Sequence, residues 1–342
     1  MYYGDYLQLD KILDAQHPES DKVNKDAHDE MLFIVIHQAY ELWFKQILYE
    51  TGSVMDIMNR PQIDDNSPDL QVIVHRLSRV CEILKLLVKQ IDVIETMTSL
   101  DFLDFRDMLR PASGFQSMQF KILEAKLGLK SDARYGKEYY VSQLREDDRK
   151  KILSLDNEET VLELVNAWLS RMPYFDEVEM WEDYPQDDDE HPFWAAYRTC
   201  YLNSLVKGES QMVEEFDKMF FPYEDPESKR KLSMRARRAA LFIMLFRGYP
   251  QLHLPFRIIN QLLEIDELMA TWRYRHVHMV HRIIGSRVGT GGSTGKNYLK
   301  NAMDSHHIFS EFAELNSFLV ERSNVPKLSE KLNRRLGYGD AN

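Results

Sequence analysis

Two cysteines in 342 residues, Cys81 and Cys200, cannot build a disulfide framework or a zinc ribbon, and a reducing cytoplasm is the simple inference. Glycine (14) and proline (12) are sparse for this length, which disfavours a turn-rich β fold and leaves room for long helices. Positive charge is also short. Lys and Arg total 43 against 55 Asp and Glu, a net charge of −12, so nucleic acid is not the expected partner. No stretch approaches the roughly 18 apolar residues of a membrane span. The most apolar run, Met31–Ile36, is far too short, and the start, Met1-Tyr2-Tyr3-Gly4-Asp5-Tyr6-Leu7, lacks the basic and apolar blocks of a secretory signal. No H-E-x-x-H, nucleophile elbow or dinucleotide fingerprint occurs, and neither does an internal repeat or a convincing strand pattern.

What is present is helical periodicity. The spacing predicts a buried helix from about His28 to Asn59, apolar on most sides and ended by Pro61, and a second from Asp69 to Glu95. Thr98-Ser99-Leu100-Asp101 has the spacing of a capping box and opens a short helix that ends before Pro111. Another short helix follows Gly114. The stretch 130–190 is polar, with a helix expected over Glu158–Met172 and a solvated acidic loop over Asp176–Glu190. Helices resume over Trp194–Phe220, Met234–Phe246 and Pro255–Ile284, and the last is expected at Tyr298–Val320. The expected fold is all-α, a single domain over residues 1–342. It carries an N-terminal arm (about 1–25) and a polar, acidic insertion (about 130–192).

The segment Trp272–Gly285 holds three histidines in the spacing H-x-H-x-x-H. At about 100° per residue, Trp272, His276, Met279, Val280 and Ile283 share one helix face. His278 and His281 fall roughly 200° and 140° from His276, so the three cannot converge on one ion. A single inward imidazole suits a lone axial ligand to a planar metal cofactor such as haem, which supplies four nitrogens itself. It also suits a hydrogen-bonded core histidine, and on this segment alone that structural reading is the first choice.

His37 sits among Phe33, Ile34, Tyr40 and Phe44, where burial would keep it neutral at pH 7, whether as a structural histidine or as a ligand contact. Arg106 shares an apolar stripe with Phe102, Phe105 and Leu109. A guanidinium there must meet an anion: an internal carboxylate, for example Glu41, or the carboxylate of a substrate. Gly289–Lys296 falls short of a phosphate-binding loop. Thr290 stands where the first glycine is needed, Asn297 where Ser or Thr should follow the lysine, and the loop follows a helix rather than a strand. A loop whose backbone closes over a ligand is the better reading.

In order along nearly the whole chain, these segments resemble the tryptophan 2,3-dioxygenase family of haem enzymes. The resemblance is carried by Tyr3-Gly-Asp-Tyr6, Phe33-Ile-Val-Ile-His37-Gln-Ala-Tyr-Glu-Leu-Trp-Phe-Lys45 and Glu95-Thr-Met-Thr-Ser-Leu-Asp-Phe102. It continues through Asp104-Phe-Arg106, Pro111-Ala-Ser-Gly-Phe-Gln-Ser117, Trp272-Arg-Tyr-Arg-His276 and Gly289–Gly295. It is less clear over 130–231. The resemblance implies an all-helical homotetramer that binds haem b, one iron per subunit and ferrous when active. It would insert both atoms of O₂ across the indole C2–C3 bond of L-tryptophan to give N-formylkynurenine. By the same resemblance His276 is the proximal iron ligand and His37 the distal residue that hydrogen-bonds the indole N–H. Arg106 pairs with the substrate carboxylate, and Thr290 contacts its ammonium or carboxylate end. Phe33, Ile34, Val35, Ile36 and Phe102 lie on the substrate side, and Tyr3 and Tyr6 reach a neighbouring subunit's site. Ser113 and Gly114 form a turn beside the haem, and Trp272 packs near it. Some relatives carry tyrosine where Phe102 stands. Two other readings compete: a haem sensor without turnover, which has no need of Arg106 and Thr290, and a metal-free helical interaction protein.

Overall fold

The computed structural model describes residues 1–61, 68–131, 134, 141–184, 190–223, 230–285, 287 and 306–337. Every regular element among them is a helix, as the composition and periodicity imply. The chain divides into two compact units. One comprises Met1–Glu50, Arg79–Glu158 and Glu267–His307; the other comprises Thr51–Ser78, Glu159–Asp266 and Ile308–Asn342.

The first unit opens with two short helices, α1 (Tyr3–Leu7) and α2 (Leu9–Ile12), neither of which buries a residue. Glu30, at the head of α3 (Asp29–Met58), accepts hydrogen bonds from the backbone N–H groups of Glu19 (2.8 Å) and Ser20 (3.0 Å), which ties the preceding segment to the helix. Within this unit α3 buries Ile36, Tyr40, Phe44 and Ile47, at three-to-four spacing. The next helix, α4 (Pro68–Ile94), starts on a proline, whose missing N–H costs nothing there. Its part in this unit buries Val80, Leu84, Leu87 and Ile91, and the Tyr40 hydroxyl donates to Leu87 O at 2.9 Å. The expected capping box is formed: Thr98 Oγ1 accepts from Asp101 N–H, and Asp101 Oδ2 accepts from Thr98 N–H at 2.8 Å. It opens α5 (Ser99–Phe105), which tightens into a 3₁₀ turn over Arg106–Leu109. Ser117 caps α6 (Met118–Leu127), and Gly128 ends it at φ 138°, a conformation that favours glycine. The helix α7 (Glu146–Ser154) places Ile152 against Ala125 of α6.

The second unit holds α8 (Val161–Ser170), α9 (Pro192–Ser204), α10 (Gln211–Phe220) and α11 (Met234–Leu245), around an aromatic core. Trp194 stacks on Phe220 (5.7 Å, 7°) and Tyr201 on Phe216 (4.6 Å, 20°), while Arg198 grips Asp217 through two bonds of 2.6 and 2.7 Å. The long helix α12 (Pro250–Ile284) begins here and ends in the first unit.

Several expectations are corrected. The helix expected from Pro255 starts at Pro250, because both prolines suit a first turn and Pro255 removes only one internal bond. The run Trp194–Phe220 is broken after Ser204, where Gly208 turns at φ 108°. Of the segment expected to be a solvated acidic loop, residues 185–189 lie outside the described residues, and the part before them is anchored: Trp181 is buried, and its Nε1 donates to Tyr174 O at 2.7 Å. The helix expected over Tyr298–Val320 is, among the described residues, a short α13 (Ser310–Glu314) followed by a 3₁₀ turn over Leu315–Phe318. Its buried residues Phe309, Phe312, Leu315 and Phe318 recur every three positions, the period of a 3₁₀ helix and not of an α-helix. A later helix, α14 (Glu330–Leu336), capped by Ser329, lies beyond the last expected one.

Candidate functional site

All of the described candidate residues belong to the first unit. On α3, His37 Nδ1 lies 2.7 Å from Phe33 O. A carbonyl can only accept, so Nδ1 carries the proton and the neutral ring presents Nε2 as a lone-pair acceptor. Burial lowers the His37 pKa below 6.5, against the opposing effects of the Phe33 carbonyl and the Glu41 charge, which keeps that tautomer neutral at pH 7. The Phe33 ring lies 4.2 Å from the His37 ring, 5.8 Å from Phe102 and 5.5 Å from Phe105. Phe102 and Phe105 meet edge to face at 5.4 Å, and Arg106 follows them at 6% exposure. The capping box sets the phase of α5 and so brings these three buried side chains to one side. Glu41, the internal carboxylate named for Arg106, is engaged by Ser117 Oγ (2.6 Å) and Gln119 Nε2 (2.8 Å).

On α12, His276 stacks on Trp272 with ring centroids 5.2 Å apart and planes 6° from parallel. Trp272 is wedged by Phe120 at 5.0 Å, Tyr40 at 6.0 Å and Phe44 at 6.4 Å, so residues of α3 and α6 hold the indole that holds the imidazole. Burial, and then the nearby His37, pull the His276 pKa from 6.5 to about 4, and no hydrogen bond contributes. His276 is half-buried and neutral, a lone-pair donor near enough to His37 for that ring to act on its charge. His278 and His281 are exposed on other faces of α12.

The helix bearing His276 is held by a buried ion cluster that sequence reasoning missed. Arg273, one turn earlier, donates to Glu124 Oε1 at 2.6 Å, and Arg134 donates to Oε2 at 2.6 Å. Burial alone would raise the Glu124 pKa, but the two guanidiniums outweigh it and hold the carboxyl at about 2. Lys121 beside it is brought down to about 7 by burial, with Glu124 opposing. The pairing spans 149 residues of chain, so no local signal could have revealed it.

Residues 1–319 match the family model for tryptophan 2,3-dioxygenase. The chain is 43% identical to the tryptophan 2,3-dioxygenase of Alteromonas mediterranea, over 98% of this chain and 97% of the relative. It is 41% identical to that of Bdellovibrio bacteriovorus (99% and 98%) and 43% identical to tryptophan 2,3-dioxygenase B of Danio rerio (97% and 85%). The chain belongs to the tryptophan 2,3-dioxygenase family.

Tryptophan 2,3-dioxygenases depend on haem, and the residues present fit such a group. His276 is an unprotonated nitrogen donor without a hydrogen bond to any described residue, and a second neutral imidazole, His37, lies near it amid aromatic walls. Ser113 leads into the 3₁₀ turn Gly114–Gln116, where its Oγ accepts from Phe115 N–H and its own N–H donates to Gln116 Oε1 at 3.2 Å. Around Gly114 a Cβ would meet nothing within 4 Å. Of the run Ile34–Ile36, Ile36 is buried, Ile34 is half-buried, and Val35 is 46% exposed on the outer side of α3. Tyr3 and Tyr6 are 76% and 71% exposed on α1. Thr290 and the rest of the glycine-rich loop lie outside the described residues. Phe105, Phe120, Tyr40 and Phe44 complete the aromatic surroundings. The shared stripe with Arg106 pointed to Phe105; only packing reveals Phe120.

Proposed function

We infer that this chain is a haem-dependent dioxygenase that adds both atoms of O₂ across the indole C2–C3 bond of L-tryptophan. The product is N-formylkynurenine, the first step of tryptophan degradation by the kynurenine route. The observation that carries the reading is the pair of neutral imidazoles, His276 without a hydrogen bond to any described residue and His37 with Nε2 left as acceptor.

Haem b, when bound, supplies the binding and activation of O₂, with one ferrous iron per subunit. With the haem bound, His276 would hold the iron, and Trp272 fixes the plane of the His276 ring by stacking on it. Because Nδ1–H of His37 is committed to Phe33 O, Nε2 accepts the indole N–H and orients the ring without taking its proton away. Phe33 and Phe102 wall the indole and exclude water. Arg106 pairs with the substrate carboxylate through two parallel hydrogen bonds, and the buried setting strengthens that pair. Thr290 contacts the amino-acid end, Ser113 and Gly114 lie beside the haem, and Ile34–Ile36 back the substrate side. The chain acts as one domain in a cytoplasmic homotetramer, in which Tyr3 and Tyr6 reach a neighbour's site; their exposure here suits that role. No described helix is long and apolar enough to cross a membrane.

The test is to mix ferrous, haem-loaded protein with O₂ and L-tryptophan and follow formylkynurenine by absorbance. Product at the rate of tryptophan loss supports the reading; haem present and no product would sink it.

A further inference from the structure

A cavity of about 230 Å³ opens in the second unit, between the end of α10 and the start of α11. Its feature of interest is Arg237, which lines it and is 7% exposed. Arg237 Nε donates to Met219 O at 2.8 Å and Nη1 to Leu232 O at 2.6 Å. Both acceptors are neutral carbonyls. Nη2 makes no hydrogen bond to any described residue, and Arg237 is among the residues that line the cavity. Burial, and then the charge of Arg230, lower the Arg237 pKa, while Glu311 and Glu314 oppose them from a distance. A buried guanidinium with no carboxylate in contact is costly, and an anion arriving in the cavity would relieve that cost.

Two further cations border the same space. Lys218 pairs with Glu214 at 2.7 Å, and Arg230 lies 3.5 Å from Glu314 and 3.9 Å from Glu215. These half-exposed pairs are weakly held and can be shared with a ligand. Among the described residues the remaining wall is apolar: Phe221, Pro222, Tyr223 and Met234. An engineered cavity of about 150 Å³ admits benzene, so the space here takes one ring and a short acidic group.

We propose that this cavity is a second ligand site, outside the histidine-bearing unit, for a small aromatic carboxylate whose anionic end meets Arg237 Nη2 and whose ring lies against Phe221, Tyr223 and Met234. It does not depend on the haem reading.

The probe is benzoate, added to the full-length haem-loaded protein labelled with ¹³C at the methionine methyls. The Met234 signal is assigned by its loss in Met234→Leu. This reporter separates the cavity from any benzoate held by Arg106. A saturable shift of the Met234 methyl is expected, retained in Arg106→Ala and weakened about tenfold or more in Arg237→Met. Lys218→Met, a half-exposed change that leaves the core alone, should weaken it by a smaller factor. Benzyl alcohol, of the same shape without the charge, should bind at least tenfold more weakly than benzoate. That comparison decides the matter even if Arg237→Met does not fold. No Met234 shift with benzoate, or equal shifts with benzoate and benzyl alcohol, would overturn the proposal.

Discussion

Replacing His37 tests the tautomer argument most directly. Its Nδ1–H is spent on Phe33 O, so its whole contribution to substrate is one accepted hydrogen bond at Nε2. A neutral hydrogen bond contributes about 1 kcal/mol net, and a buried N–H left without a partner costs up to about 3 kcal/mol. His37→Ala should therefore lower kcat/KM for L-tryptophan roughly 5- to 150-fold and leave measurable turnover. His37→Gln, which offers a carbonyl acceptor, should recover part of the loss. The comparison substrate is tryptophan methylated on the ring nitrogen, which has no N–H to give. His37→Ala should not slow it, so the preference for tryptophan over the methylated form should collapse. Acid should act in the same way. The pKa of His37 is lowered below 6.5, so the acceptor is present above that pH. It is lost as pH falls through the lowered value, giving an acid limb in kcat/KM that His37→Gln lacks. Equal slowing of both substrates by His37→Ala, or complete loss of turnover, would refute the acceptor role.

Arg106→Ala should raise KM for L-tryptophan roughly 10- to 150-fold, the worth of a charge-assisted pair of about 1.5–3 kcal/mol. Tryptamine, which lacks the carboxylate, should be indifferent to the change in steady-state assays. Glu124→Gln strips the carboxylate from between Arg134 and Arg273 and should cost about 3–5 kcal/mol, read as a lower denaturant midpoint. In the parent protein the Glu124 pairing stabilises at every pH above its unfolded value of 4.5 and is lost as pH falls toward about 2. Haem-free protein should weaken earlier in acid. The folded-state pKa of His276 is about 4 against 6.5, so its contribution of about 3 kcal/mol is full above pH 6.5 and is lost as pH falls toward 4. His276→Leu should flatten that part of the stability profile in denaturant titrations at successive pH values.

Much of the secondary structure was legible because its signals are local. The three-to-four spacing on α3 and α4 set their limits to within a residue or two, and Thr98 and Asp101 marked the start of α5. Where the local signal was ambiguous the reading failed. Pro250 and Pro255 both suit a helix start, and the apolar stretch from Phe309 to Phe318 suits an α-helix as well as the 3₁₀ turn that forms its end. The candidate site divides along the same line. The helix phase alone turned His276 inward and His278 and His281 outward, and set Arg106 beside Phe102 and Phe105. The family resemblance then linked His37, Arg106 and His276.

The sequence by itself therefore determined which residues share a helix face, because a helix repeats every 3.6 residues whatever surrounds it. Tertiary structure decided what those faces meet. It stacked Trp272 on His276, committed His37 Nδ1 to a carbonyl within an aromatic enclosure, and set Glu124 between two arginines. Charge state and tautomer follow from desolvation and from partners far away in the chain, and neither is encoded in the spacing of neighbours.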